Sequence, residues 1–115
     1  METRPGSAAT VPTRLSPADA AAVPLRDGRL SSLLFDGDGI EIRYYAPRGE
    51  DRQVPHDRDE FYFVIAGSGA FLRGSERVSF GPGDMIFVGA GEDHRFVDFS
   101  ADFATWVLFY GPRKA

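Results

Sequence analysis

The chain has 115 residues, 43% of them hydrophobic, with a formal net charge of −4 and no cysteine. That length and composition suit one domain around a single core, without a disulfide scaffold or a thiolate metal site. Arginines are scattered singly, so nothing gathers the positive charge that nucleic acid or a membrane surface requires, and no apolar stretch nears the roughly 20 residues of a membrane-spanning helix.

Residues 1–15 carry Arg4, Pro5, Gly6, Ser7 and Pro12 with few large apolar groups. They read as a disordered lead-in without the apolar segment of a secretory signal, and the cytoplasm is the expected compartment. Residues 16–29 read as a short helix and connector. Ser16 can cap it, Pro17 suits the first helical position, the alanines propagate it and Pro24 stops it.

From residue 30 to residue 112 the punctuation changes to short apolar runs between Gly, Pro and Asp clusters. Strands are predicted at Ser31–Phe35, Ile40–Ala46, Gln53–His56, Glu60–Ala66, Gly69–Arg73, Glu76–Phe80, Met85–Val88, Arg95–Phe99 and Ala104–Tyr110. Short strands at even spacing with such turns indicate an all-β sandwich or barrel.

The chain has two histidines, His56 and His94, and each stands beside carboxylates and a strand. Two imidazoles and the Glu60 carboxylate would make a site for a divalent transition metal with open positions. His56 and Glu60 cannot share one unbroken strand and one ion. At about 3.3 Å per residue their side chains would stand roughly 13 Å apart, whereas ligand atoms lie about 2 Å from a metal. A strand ending at His56, a turn through Asp57-Arg58-Asp59 and a new strand from Glu60 solve this. His94 then arrives through the loop Gly89 to Asp93. In the alternative reading, Glu60 is a solvated strand-start residue paired with Arg58 or Arg95.

These residues resemble the paired motifs of a small single-domain cupin. Gly49 opens the first motif, His56 matches its second histidine, Glu60 its glutamate and Gly67 its closing glycine. Gly83, Gly91 and His94 match the second motif in register. The resemblance covers about residues 30 to 112 and implies a cupin jelly-roll β-barrel behind a short N-terminal helix. It also implies a homodimer and a divalent metal ion held by His56, Glu60 and His94. Fe(II), Mn, Ni and Zn all suit two imidazoles and a carboxylate. Three positions depart from the family pattern. Val54 takes the place of the leading histidine, Gly89 that of a proline, predicting a looser loop, and Asp98 that of an asparagine.

Strand alternation extends the pocket. If Glu60 points inward, Tyr62 follows it as a hydrogen-bond donor to a ligand or as a core tyrosine. If His94 points inward, Phe96 and Asp98 share its face, and Asp98 either supports a ligand or caps the strand end. Tyr62 and Asp98 are therefore the candidate catalytic helpers. Met85, Phe87, Trp106, Leu108 and Tyr110 read as core. Phe61, Phe63 and Ile65 form an opposite apolar face that a second sheet or a second subunit must cover.

Two functions follow. One is a metal-dependent protein acting on or binding a small molecule, oxygenase-like or isomerase-like if catalytic. The other is a non-catalytic ligand-binding or structural cupin with a vestigial site.

Overall fold

The computed structural model describes residues 12–114; most of the lead-in expected over 1–15 falls outside them. Ser16 Oγ accepts from the Asp19 amide at 3.0 Å while the Asp19 carboxylate accepts from the Ser16 amide at 3.2 Å. This reciprocal cap and Pro17 at its first turn hold helix α1, Pro17–Ala21. No helix among the described residues is long and apolar enough to cross a membrane.

The rest is β-structure: β1 (Ser32–Gly37), β2 (Ile40–Tyr45), β3 (Asp59–Ala66), β4 (Gly69–Arg73), β5 (Glu76–Phe80), β6 (Met85–Val88), β7 (His94–Val97) and β8 (Ala104–Tyr110). A five-stranded sheet runs in the order β1-β2-β8-β3-β6, and a three-stranded sheet in the order β5-β4-β7. Every pairing is antiparallel. Asp38 and Gly39 take positive φ, 53° and 78°, at the β1–β2 turn, where such residues match the twist of a tight hairpin.

Between the sheets lies an aromatic pile. Phe96 meets Phe71 at 4.8 Å, Tyr62 at 4.8 Å and Phe103 at 4.7 Å between ring centroids. Phe80 closes it at 5.0 Å from Phe103. Glu60, Tyr62 and Val64 of β3 point inward with Thr105, Val107 and Phe109 of β8.

Two expectations are corrected. The predicted strand Gln53–His56 is not formed: residues 46–58 run without regular structure. Pro55 has no amide to give a ladder, and the Gln53 amide is taken by the Asp51 side chain at 3.0 Å. Second, Met85, Phe87, Trp106, Leu108 and Tyr110 are not core. The register sets Phe61 between Phe87 and Leu108, and Phe63 between Met85 and Trp106. These side chains share the outer face of the larger sheet. Met85 is 61% exposed there and Phe87 41%.

Candidate metal centre

Three elements deliver the three predicted ligands. Glu60 is the second residue of β3 and its inward alternation buries it, leaving 1% exposed. His94 opens β7 in the other sheet, with its ring against Phe71 and Tyr62 at centroid distances of 6.2 and 6.3 Å. His56 lies near the end of the irregular segment, and its carbonyl accepts from the Gly91 amide at 2.7 Å. One bond thus ties the two motifs together.

The loop before His94 is held amide by amide. Gly89 N–H donates to the Glu92 carboxylate at 2.6 Å, Ala90 N–H to Asp59 at 2.9 Å, and Gly91 N–H to His56. A proline at 89 would forfeit the first of these, so glycine here does not leave the loop loose. Glu92 also accepts through its carbonyl from His94 Nδ1 at 2.9 Å. With the Nδ1 proton placed there, the Nε2 lone pair faces Glu60.

His94 Nε2 stands 3.0 Å from Glu60 Oε1, and His56 Nε2 stands 3.8 Å from the same oxygen. One ligand atom from each of the three residues falls within 4.8 Å of the others. Ligand atoms around one ion, each about 2 Å from it, sit roughly 3 Å apart. The 3.0 Å approach is an ion pair only when His94 is protonated; with His94 neutral, His94 Nε2 and both Glu60 oxygens are buried without a hydrogen-bond partner. Buried polar atoms are ordinarily satisfied, and an orphaned carboxylate is expensive. A cation between the three side chains would satisfy all of them, so the donor set fits a divalent metal.

The two histidines differ electrostatically. Burial lowers the pKa of His56, and His94 adds to this while Glu60 opposes it. Burial also works against charge on His94, but the Glu60 oxygen and the Glu92 carbonyl outweigh it and the pKa ends raised.

Beside the centre lies a cavity of about 520 Å³ bounded by His56 and Glu60, the aliphatic and aromatic wall of Val107 and Phe109, and Arg43 and Arg58. Both guanidiniums are held by the Glu41 carboxylate. His94 is not among the cavity walls, and its side chain is fully shielded. Access to the centre runs past His56, whose side chain is 31% exposed.

Tyr62 is fully buried and its hydroxyl donates to Gln53 Oε1 at 2.9 Å. Asp98 lies elsewhere. Alternation from His94 reaches Phe96, but β7 ends at Val97 and Asp98 turns into left-handed backbone at φ 52°. Its carboxylate pairs with Arg77 at 2.9 Å on the surface. Asparagine and aspartate tolerate that backbone better than most residues, which explains the residue type without site chemistry.

Sequence reasoning missed Gln53 and Asp51. Both are buried, and Gln53 shares the cavity wall with His56 and Glu60. Val54, at the place of the family's leading histidine, is 67% exposed at the rim of that cavity. A regular strand would set Gln53 and His56 on opposite faces. The irregular backbone lets both face the centre, and no periodicity signals that.

The family model of the cupin domain matches residues 42–110. The chain belongs to the cupin family. Among its relatives, the Streptomyces coelicolor protein SCO3923 is 39% identical over 64 residues, 56% of this chain and 61% of that protein. The chain thus spans less than two thirds of that relative. A cupin 2 conserved barrel domain protein from Salinispora arenicola superposes with a TM-score of 0.63 at 18% identity, over 87% of this cupin and 90% of the other chain. The cupin superfamily protein DSY2733 from Desulfitobacterium hafniense gives 0.63 at 18% identity, over 88% and 94%. These likenesses establish the barrel, and the chemistry of this cupin rests on its own residues.

Proposed function

We propose that this cupin holds a divalent metal ion between His56, Glu60 and His94 and binds or transforms a small molecule in the adjoining cavity. The observation that carries this reading is the convergence of three buried atoms with no hydrogen bond, two from a carboxylate and one from an imidazole. Fe(II), Mn, Ni and Zn all accept two imidazoles and a carboxylate. The metal would supply Lewis acidity and open coordination positions for a chelating ligand or dioxygen. The chain's own contribution is to shield the centre with Tyr62 and Phe71, to fix the His94 tautomer through the Glu92 carbonyl, and to admit a ligand past His56.

Tyr62 serves this reading as a positioning residue, because its hydroxyl is committed to Gln53. Asp98 has no place in it. The cavity wall mixes apolar side chains such as Val107 and Phe109 with guanidiniums and carboxylates, Arg43, Arg58, Asp36 and Glu41 among them, which suits a small organic molecule rather than a polymer. The outer face of the five-stranded sheet, with Phe63, Met85 and Phe87 exposed, supports a homodimer joined through that face.

Elemental analysis of the purified protein beside a His94→Ala variant tests the reading. One equivalent of metal in the parent and none in the variant is the expected result. Absence of stoichiometric metal after aerobic and anaerobic reconstitution would overturn it. Oxygen uptake with small chelating acids, thiols and diketones then separates an enzyme from a binder.

A further inference from the structure

We propose that Gln53 completes the centre, with its side-chain carbonyl oxygen as the fourth protein ligand; this rests on the metal reading above. Family-pattern comparison assigns the fourth place to Val54 and finds it vacant. The fold fills it from the residue before. Gln53 is buried, at 9% exposure, and its Oε1 stands 3.4 Å from His56 Nε2. That separation lies between the 3.0 and 3.8 Å that Glu60 Oε1 keeps from His94 and His56. It is a spacing that neighbouring ligand atoms of one ion adopt.

Which end of the amide faces the centre is decided by its surroundings. Gln53 Nε2 donates to Asp51 Oδ2 at 2.7 Å. A carboxylate only accepts, so the NH2 must face Asp51 and the carbonyl must face the other way. Tyr62 O–H donates to that carbonyl oxygen at 2.9 Å. The second lone pair of that oxygen faces His56 Nε2, which donates to it when that nitrogen carries the proton, and would turn to the ion once His56 binds metal through Nε2. Asp51 is itself immobilised by donors from Tyr45 O–H, the Gln53 amide and, at 2.8 Å, the Phe96 amide. The amide is therefore clamped from both sides before any ion arrives. Two imidazole nitrogens, a carboxylate oxygen and an amide oxygen make a set suited to Mn, Fe(II) or Zn.

Copper(II) as a spectroscopic probe tests the assignment, because pulsed electron paramagnetic resonance counts coordinated imidazoles. The parent protein should show two. Gln53→His should show three, since an imidazole at 53 can donate Nδ1–H to Asp51 and offer Nε2 to the metal. Two imidazoles in a folded Gln53→His protein would overturn the proposal while leaving the metal reading intact. A parent protein that takes up no metal would overturn both. Should Gln53→His fail to fold, Gln53→Leu decides by Mn(II) titration. A loss on the order of ten- to a hundredfold in affinity is expected, and unchanged affinity in a folded variant would refute the role.

Discussion

His94 Nε2 lies 3.0 Å from Glu60 Oε1, and neither atom makes a hydrogen bond. Without metal, this pair opposes folding whenever His94 is neutral, because the Glu60 carboxylate is then desolvated and uncompensated. Glu60→Met keeps the volume and removes the charge. In the presence of chelator and above the raised pKa of His94, Glu60→Met should be more stable to urea by about 1–3 kcal/mol. Added Mn(II) should stabilise the parent and leave the variant unmoved. A variant less stable than the metal-free parent at high pH would show that Glu60 supports the fold by itself.

Metal binding should weaken as pH falls, and the histidine shifts set the window. His94 has its pKa raised above 6.5 against the opposing effect of burial, so its proton competes with the ion already above that value. His56 is lowered, chiefly by burial, and competes only below 6.5. Apparent affinity should therefore fall about tenfold per pH unit below the His94 pKa, and more steeply once His56 also protonates. Competition against a chelating dye between about pH 5 and 8.5 measures it. A flat profile across the His94 window would contradict the assignment of His94 as a ligand.

The sequence makes the barrel legible where alternation and turn chemistry agree. Glu60, Tyr62 and Val64 alternate inward, and the Asp38-Gly39 turn falls where glycine and aspartate announce it. The convergence of His56, Glu60 and His94 is legible because spacing forbids one strand and the second motif supplies the partner. The segment from Arg48 to Arg58 was opaque for a physical reason: its backbone is held by side chains such as Asp51, with no ladder and hence no period. Extending alternation across it hides Gln53, and extending it past Val97 misplaces Asp98. The outer aromatics misled differently, because hydrophobicity alone does not say which of two apolar faces is inside.

Asp51 should be among the costliest polar side chains to remove. It accepts from Tyr45 O–H, the Gln53 amide, Gln53 Nε2 and the Phe96 amide, so truncation strands several buried donors. Asp51→Ala should lose about 3–5 kcal/mol in urea unfolding. Asp51→Asn should lose less, because its amide oxygen still accepts. Equal losses for the two would mean that volume, not hydrogen bonding, carries the effect.

Gly67, which closes the first motif, is required by its backbone and by its neighbour. Its φ is +86°, and a Cβ there would meet Phe103 Cα at 2.5 Å and the Phe103 amide nitrogen at 2.8 Å. Neither backbone atom can move without shifting the start of β8. Gly67→Ala should therefore cost about 2–4 kcal/mol, from left-handed strain together with overpacking. Thermal unfolding beside Gly83→Ala supplies the control, since Gly83 has φ +87° but nothing within 4 Å of its Cβ position. A loss at Gly67 no larger than at Gly83 would remove the steric part of the argument.

The outer sheet face makes the proposed dimer testable at one residue. Phe87 pairs with Phe61 across β3 and β6 at a ring separation of 5.2 Å and is 41% exposed. A charge there meets water in a monomer but is buried without a partner in a dimer joined through this face. Phe87→Glu should shift the parent from dimer to monomer mass in light scattering at micromolar concentration, with the circular dichroism of the barrel retained. The free face would then be more soluble in the variant. A parent that is monomeric, or a variant that stays dimeric, would place the pairing elsewhere or nowhere.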